Sequence, residues 1–158
     1  MKLNIYIHAI ILSLLPISEL RGGIPYAVAN DIDLVTSFVI CVLANILVIP
    51  ITYLFLETLH KLLYRIHIYQ VVFDKYIDRT RRKAERNMEK YGYWGIMLFV
   101  AVPLPITGAY TGTIAAWLLK LQKRKSLLYL SLGVVIAGII VSLVTISGME
   151  IFNIFLKR

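Results

Sequence analysis

A single cysteine, Cys41, occurs in the chain, so no intrachain disulfide is open to it. It lies in an apolar run with no CxxC or Cys/His metal spacing around it, and reads as a packed, inert thiol. Acidic residues are scarce as well: nine Asp and Glu stand against 17 Lys and Arg. No Gly-x-Ser-x-Gly, His-Glu-x-x-His or phosphate-binding loop is present. The three histidines, His8, His60 and His67, form no ligand spacing, and the last two read as interfacial residues flanking a span. The expectation is a protein that is not an enzyme, with no catalytic residue, no metal and no cofactor. The formal charge of +8 invites a nucleic-acid reading. It fails, because neither an Arg/Gly low-complexity tract nor a zinc-finger spacing accompanies the charge.

What the chain has in excess is apolar surface. Of its 158 residues 59% are hydrophobic, and the mean hydropathy is +0.76, where soluble domains run about 45–50% apolar even with glycine counted. A lipid bilayer must do the solvating. The length suits one domain. Lys2, an apolar stretch and Ala27-Val28-Ala29 imitate a signal peptide, but Glu19, Arg21, Gly22 and Gly23 put charge and flexibility where a compact cleavage region should be.

Four apolar segments, roughly 4–29, 34–56, 93–119 and 126–147, are each long enough as helices to span about 30 Å of hydrocarbon. Four simple spans conflict with the charge. They would place segment 57–92 and loop 120–125 on opposite sides of the membrane. The first carries Lys61, Arg65, Lys75, Arg79, Arg81, Arg82, Lys83, Arg86 and Lys90, and the second Lys120, Lys123, Arg124 and Lys125. Both belong in the cytoplasm by the positive-inside rule, which counts Lys and Arg. They share a side only if 93–119 enters and leaves through one face. The connection Asn30-Asp31-Ile32-Asp33 has no basic residue and belongs outside.

Local chemistry agrees. Pro16 to Pro25 holds two prolines and the adjacent Gly22 and Gly23, and Pro103 to Gly112 has the same kind of composition, so both segments are expected to break as helices. Broken backbone at membrane depth survives only where protein or a wet cavity surrounds it. Both segments therefore read as re-entrant hairpins, and 34–56 and 126–147 as spanning helices. A shift of 89 residues lays Pro16-Ile17-Ser18 on Pro105-Ile106-Thr107, Gly23 on Gly112, and Ala27 on Ala116. The charges do not repeat: Glu19 falls on Gly108 and Arg21 on Tyr110. A unit of one hairpin and one crossing helix must reverse its successor, which makes the repeat inverted, as in many secondary transporters. The fold class expected is an all-α integral membrane protein, an inverted repeat of re-entrant hairpin plus transmembrane helix. Repeat one covers about 4–60, a cytoplasmic basic segment 61–92, repeat two 93–147 and a C-terminal extension 148–158. Both termini are expected outside. The stretch 61–91 reads equally as an amphipathic helix on the inner leaflet or as a solvated topology-setting loop.

"PISELRGGIPYA" (16–27) and "PLPITGAYTGTIAA" (103–116) resemble the paired signatures of the small multidrug export family of prokaryotic membrane proteins, and Asn45 followed by Pro50 fits that pattern. The resemblance covers about residues 8–147. Ile106 stands where the family more often has glycine, and Tyr110 where it more often has tryptophan. The family resembles the DedA/VTT proteins in having two facing re-entrant loops. The resemblance implies a transporter-like membrane protein, and on the DedA side lipid-carrier translocation and ion-coupled membrane homeostasis.

Glu19 and Arg21 are the only charges inside an apolar segment, and an intramembrane ionisable residue is a functional hypothesis by default. Arg21 suits an anionic headgroup or phosphate, Glu19 a coupling proton. The competing reading is a structural pair. Gly22, Gly23, Gly108 and Gly112 suit tight turns or close approach of the tips. Thr107, Thr111, Thr113 and Tyr110 offer hydroxyls, although threonines in membrane helices commonly serve backbone carbonyls. Asn45 suits a hydrogen bond to a neighbouring helix. The function expected is movement of a small molecule, an ion-coupled solute or an anionic lipid carrier through a site between two hairpins, in a homodimer or higher homo-oligomer. The alternative is a non-transporting scaffold or lipid-binding module.

Overall fold

The computed structural model describes residues 2–58, 91–103 and 107–156. The readings of His60, His67 and nearly all of 61–91 lie outside the described residues, as do Pro105 and Ile106. Among the described residues the chain is all-helical: α1 (Lys2–Leu14), α2 (Glu19–Ala29), α3 (Leu34–Glu57), α4 (Tyr93–Ala101), α5 (Ala109–Leu118) and α6 (Lys123–Leu156). Two are long and apolar enough to cross a membrane, Leu34–Glu57 and Lys123–Met149. At 1.5 Å per residue α3 is about 36 Å long. The other four hold 13, 11, 9 and 10 residues. None exceeds about 20 Å, short of a 30 Å hydrocarbon core.

The breaks fall where local chemistry puts them, with one shift. Leu15, Pro16, Ile17 and Ser18 form the turn between α1 and α2, whereas Gly22, Gly23 and Pro25, expected within the break, lie inside α2. Pro25 costs α2 only one amide bond and sits two turns into a short helix, so the ladder closes around it. Between α4 and α5 the break begins at Val102, whose backbone is extended.

Helix ends repeat a single device. At the end of α2 the Ile32 amide donates to Ala27 O and the Asp31 amide to Val28 O, at 3.1 and 3.2 Å, with Asp31 left-handed at φ +60°. This pair of bonds is a Schellman cap. At the end of α5 the Leu121 amide donates to Ala116 O and the Lys120 amide to Trp117 O, at 3.0 and 3.1 Å, with Lys120 at φ +52°. Every residue of the second cap lies 89 positions after its counterpart in the first. So does the start of the next helix, Leu34 in one case and Lys123 in the other. Each buried position on α3, apart from Val42, has a buried counterpart 89 residues on in α6, from Ser37 and Ser126 to Leu56 and Thr145.

The chain divides into two compact units. Unit 1 holds α1, α2, the first part of α3 to Asn45 and α6 from Val135; unit 2 holds residues Ile46–Val134. In unit 1, α1 packs along α2. Gly138 lies against Val42 and Phe38. In unit 2, α4 packs on α5. Tyr93 stacks on Tyr129 with ring centroids 5.5 Å apart, Trp94 meets the same ring edge-on at 5.4 Å, and Lys125 Nζ lies 5.8 Å over Tyr93. Aromatic rings beside lysines at the end of an apolar helix suit a membrane–water boundary.

Asp33 starts α3: the Thr36 amide donates to its Oδ2 at 2.8 Å. The Thr36 amide and hydroxyl hold the Asp33 carboxyl below its ordinary value of 3.8. A depressed native pKa means that the capping contribution is fully present above 3.8 and is lost as pH falls through the lower native value. Thermal melts in detergent should show this acid-side loss in the wild type. Asp33→Asn, which still caps, should match it at neutral pH and lack that part of the fall.

Candidate functional site

The ten residues singled out divide evenly, Glu19, Arg21, Gly22, Gly23 and Asn45 in unit 1, and Thr107, Gly108, Tyr110, Thr111 and Gly112 in unit 2. In unit 1 the turn at 15–18 delivers the chain into α2 through Glu19, whose backbone is left-handed at φ +45°. A non-glycine residue with positive φ is uncommon, and each such residue costs roughly 1–2 kcal/mol. Glu19 is also only 7% exposed. A charged residue both buried and strained marks a place the rest of the fold holds in position. Arg21, two residues on, is half-buried, and both it and Glu19 are engaged by other groups of the fold.

Gly23 and Asn45 converge on one residue that sequence reasoning passed over, Ser13. The Asn45 amide nitrogen donates to Ser13 O at 2.9 Å, tying α3 to the end of α1. The Ser13 hydroxyl donates to Ala9 O at 2.9 Å and lies against Gly23. Asn45 is thus a helix-to-helix bond, as its chemistry suggests. The missed signal was a serine near the end of an apolar helix, four residues after an alanine. Gly22 packs against Ser18 and Leu12.

In unit 2 the hydroxyls serve the backbone. Thr107 donates to Val102 O at 2.6 Å, Thr111 to Gly108 O at 3.2 Å, and Thr113 to Ala109 O at 2.6 Å. The Thr107 bond spans the break between α4 and α5, while those of Thr111 and Thr113 back-bond to carbonyls at the start of α5. Gly108 precedes α5 in extended backbone. Gly112 receives Val100 and Leu130. Tyr110 and Ile114 form one wall of a cavity of about 280 Å³ whose other side is Ile51, Thr52, Phe55 and Leu56. Among the described residues the buried hydroxyls of Thr52, Tyr53, Ser126 and Ser142 meet no partner at full hydrogen-bond geometry, although those of Tyr53 and Ser126 lie beside each other. None was singled out from the sequence, because an unpaired hydroxyl is a property of packing.

Among the described residues two helices are long and apolar enough to cross a membrane and one shorter helix, α1, is apolar, which suits a membrane protein. The family model described as "Putative small multi-drug export protein" matches residues 19–140. The chain belongs to that family, whose description points to transporter-like export. No curated protein and no solved structure matches the chain.

Proposed function

We propose that the chain is a transporter whose ion- or substrate-handling charge is the Glu19–Arg21 segment, moving a small molecule, an ion-coupled solute or an anionic lipid carrier. One observation carries this reading. The segment's acid is buried on a strained backbone, at the bend between two helices that are each too short to cross. Ionisable groups placed at such cost in apolar segments serve pathways or coupling. Thr107, Gly108, Tyr110, Thr111 and Gly112 enter the proposal as the second tip, which supplies amides and hydroxyls rather than charge.

The architecture proposed with it is an inverted repeat of two re-entrant hairpins. Supporting it are the short helices of each hairpin, the Schellman caps and helix starts at a constant spacing of 89 residues, and the matched buried register of α3 and α6. The kinship with DedA/VTT proteins belongs to the same proposal. Two spanning helices cannot enclose a pathway, so two or more chains assemble.

Topology is tested with a membrane-impermeant maleimide on single cysteines, Asp31→Cys, Glu85→Cys and Lys123→Cys, each in a Cys41→Ser background. Positions 85 and 123 should label from the cytoplasmic side and 31 from the other. Finding 85 and 123 on opposite faces would overturn the re-entrant reading. Transport is tested by efflux of lipophilic cationic dyes from vesicles carrying Glu19→Gln or Arg21→Gln. Unchanged efflux in both removes the site assignment.

A further inference from the structure

Unit 2 contains a groove of about 410 Å³ between the end of α3 and the start of α6. One half of its lining is apolar: Pro50, Leu54 and Leu127. Leu54 is 64% exposed, so this half is open to the surroundings of the span. The other half is charged: Glu57, Lys123 and Arg124. Glu57 and Lys123 form an ion pair. That leaves Arg124, exposed and with no ion pair or hydrogen bond among the described residues, as the net charge of the groove.

Three further features point to an anion. Lys123, Arg124 and Lys125 open α6, and their amides have no acceptor one turn earlier within it, so the positive end of the helix dipole faces this corner. Tyr53 lines the groove and is 6% exposed. The buried Ser126 hydroxyl lies beside the Tyr53 hydroxyl and is the group it interacts with. Among the described residues neither hydroxyl reaches the geometry of a full hydrogen bond, and a bound acceptor would complete one.

The matching groove at the other ends of the same two helices acts as an internal control. Its seven lining residues are those of the charged groove displaced by 89 positions. There Leu34, Val35 and Ile146 stand where Lys123, Arg124 and Glu57 stand here, and Ser142 stands for Tyr53. Each unit therefore has such a groove with one buried hydroxyl in its lining, Ser142 or Tyr53, and only the groove of unit 2 carries charge. From Pro50 to Glu57 is about 10 Å along the helix, room for an acyl chain to run beside a head held at the charged end.

We propose that this groove binds the phosphate headgroup of an anionic phospholipid from the leaflet on the Lys/Arg-rich side. Arg124 and the first amides of α6 hold the phosphate, the Tyr53 hydroxyl donates to a phosphate or ester oxygen, and the acyl chain lies along Pro50, Leu54 and Leu127. The site is separate from Glu19 and Arg21 and does not depend on transport.

The test uses the full chain in bilayers containing phosphatidylglycerol or phosphatidylcholine with a diazirine on the acyl chain, and maps cross-links by mass spectrometry. Phosphatidylglycerol should label peptides carrying Leu54 and Leu127 in preference to phosphatidylcholine, and the groove lined by Leu34 and Leu143 should show no preference. Arg124→Gln should lower the preference about fivefold, the effect of one surface basic residue, with an unchanged melting temperature. Tyr53→Phe, which removes only a hydroxyl, should lower it less. Preference unchanged in both variants overturns the proposal. Loss of labelling on adding inorganic phosphate would identify a soluble anion as the ligand and overturn the lipid assignment.

Discussion

Gly23→Ala should destabilise the detergent-solubilised protein by about 1–3 kcal/mol, the usual range for overpacking a filled interior, and Gly112→Ala should destabilise it too, but by less. Both glycines lie inside helices, where alanine is intrinsically better by about 1 kcal/mol. The difference is in what the new methyl meets. At Gly23 it would overlap the Ser13 hydroxyl and lie 2.9 Å from Ala9 O and 3.0 Å from Cys41 Sγ. Ala9 O is backbone, and moving it means moving α1 away from α2. At Gly112 it would overlap Val100 Cγ2 and lie 2.8 Å from Leu130 Cδ2, both on buried side chains, the first β-branched and stiff at χ1. Steric cost therefore exceeds the propensity gain at both glycines, and more so at Gly23, where backbone as well as side chain blocks the methyl. Adding Ser13→Ala to Gly23→Ala removes the nearest atom and should restore part of the loss, a coupling expected for residues in contact. Equal melting of Gly23→Ala and wild type would mean that α1 and α2 are not held this closely.

Glu19→Gly should abolish dye efflux while relaxing the backbone at this position, so that its melting temperature reports strain relief against the loss of the contacts that engage the carboxylate. Glycine adopts φ +45° freely, so the substitution relieves a backbone cost of roughly 1–2 kcal/mol. It also removes a carboxylate whose burial is expensive. Glu19→Gln keeps the strain and the side-chain volume, and should lose efflux to the level of vesicles without the protein. Together the two variants separate backbone from charge. Efflux retained in Glu19→Gly shows that the carboxylate is not used. If instead Glu19 and Arg21 form only a structural lock, both neutral variants leave Arg21 engaged with the wrong partners and melt early. The doubly exchanged Glu19→Arg, Arg21→Glu protein would then recover folding and function together.

The spanning helices and the helix breaks were legible from composition because their causes are local. Apolar length decides whether a helix can span, and proline with glycine decides where a ladder is weak. The 89-residue shift was legible for the same reason, and the caps at Asp31 and Lys120 extend it to residues that share no chemistry. The break in the first segment was placed too late by counting Gly22 and Gly23 as turn residues. Both pack within α2, where small size, not flexibility, is their use.

Apolar runs, basic clusters and breakers determined by themselves that this chain is a helical membrane protein, and they placed an acid and an arginine inside one apolar segment. Only the tertiary structure decided that Glu19 sits on strained backbone, that Ser13 joins Gly23 to Asn45, and that one of two equivalent grooves is charged. Those facts arise from residues far apart in the chain, such as Tyr53 and Arg124, meeting across a helix pair. Hydropathy and motif spacing act along the chain, whereas burial, unpaired hydroxyls and steric closeness are properties of what the other elements bring alongside.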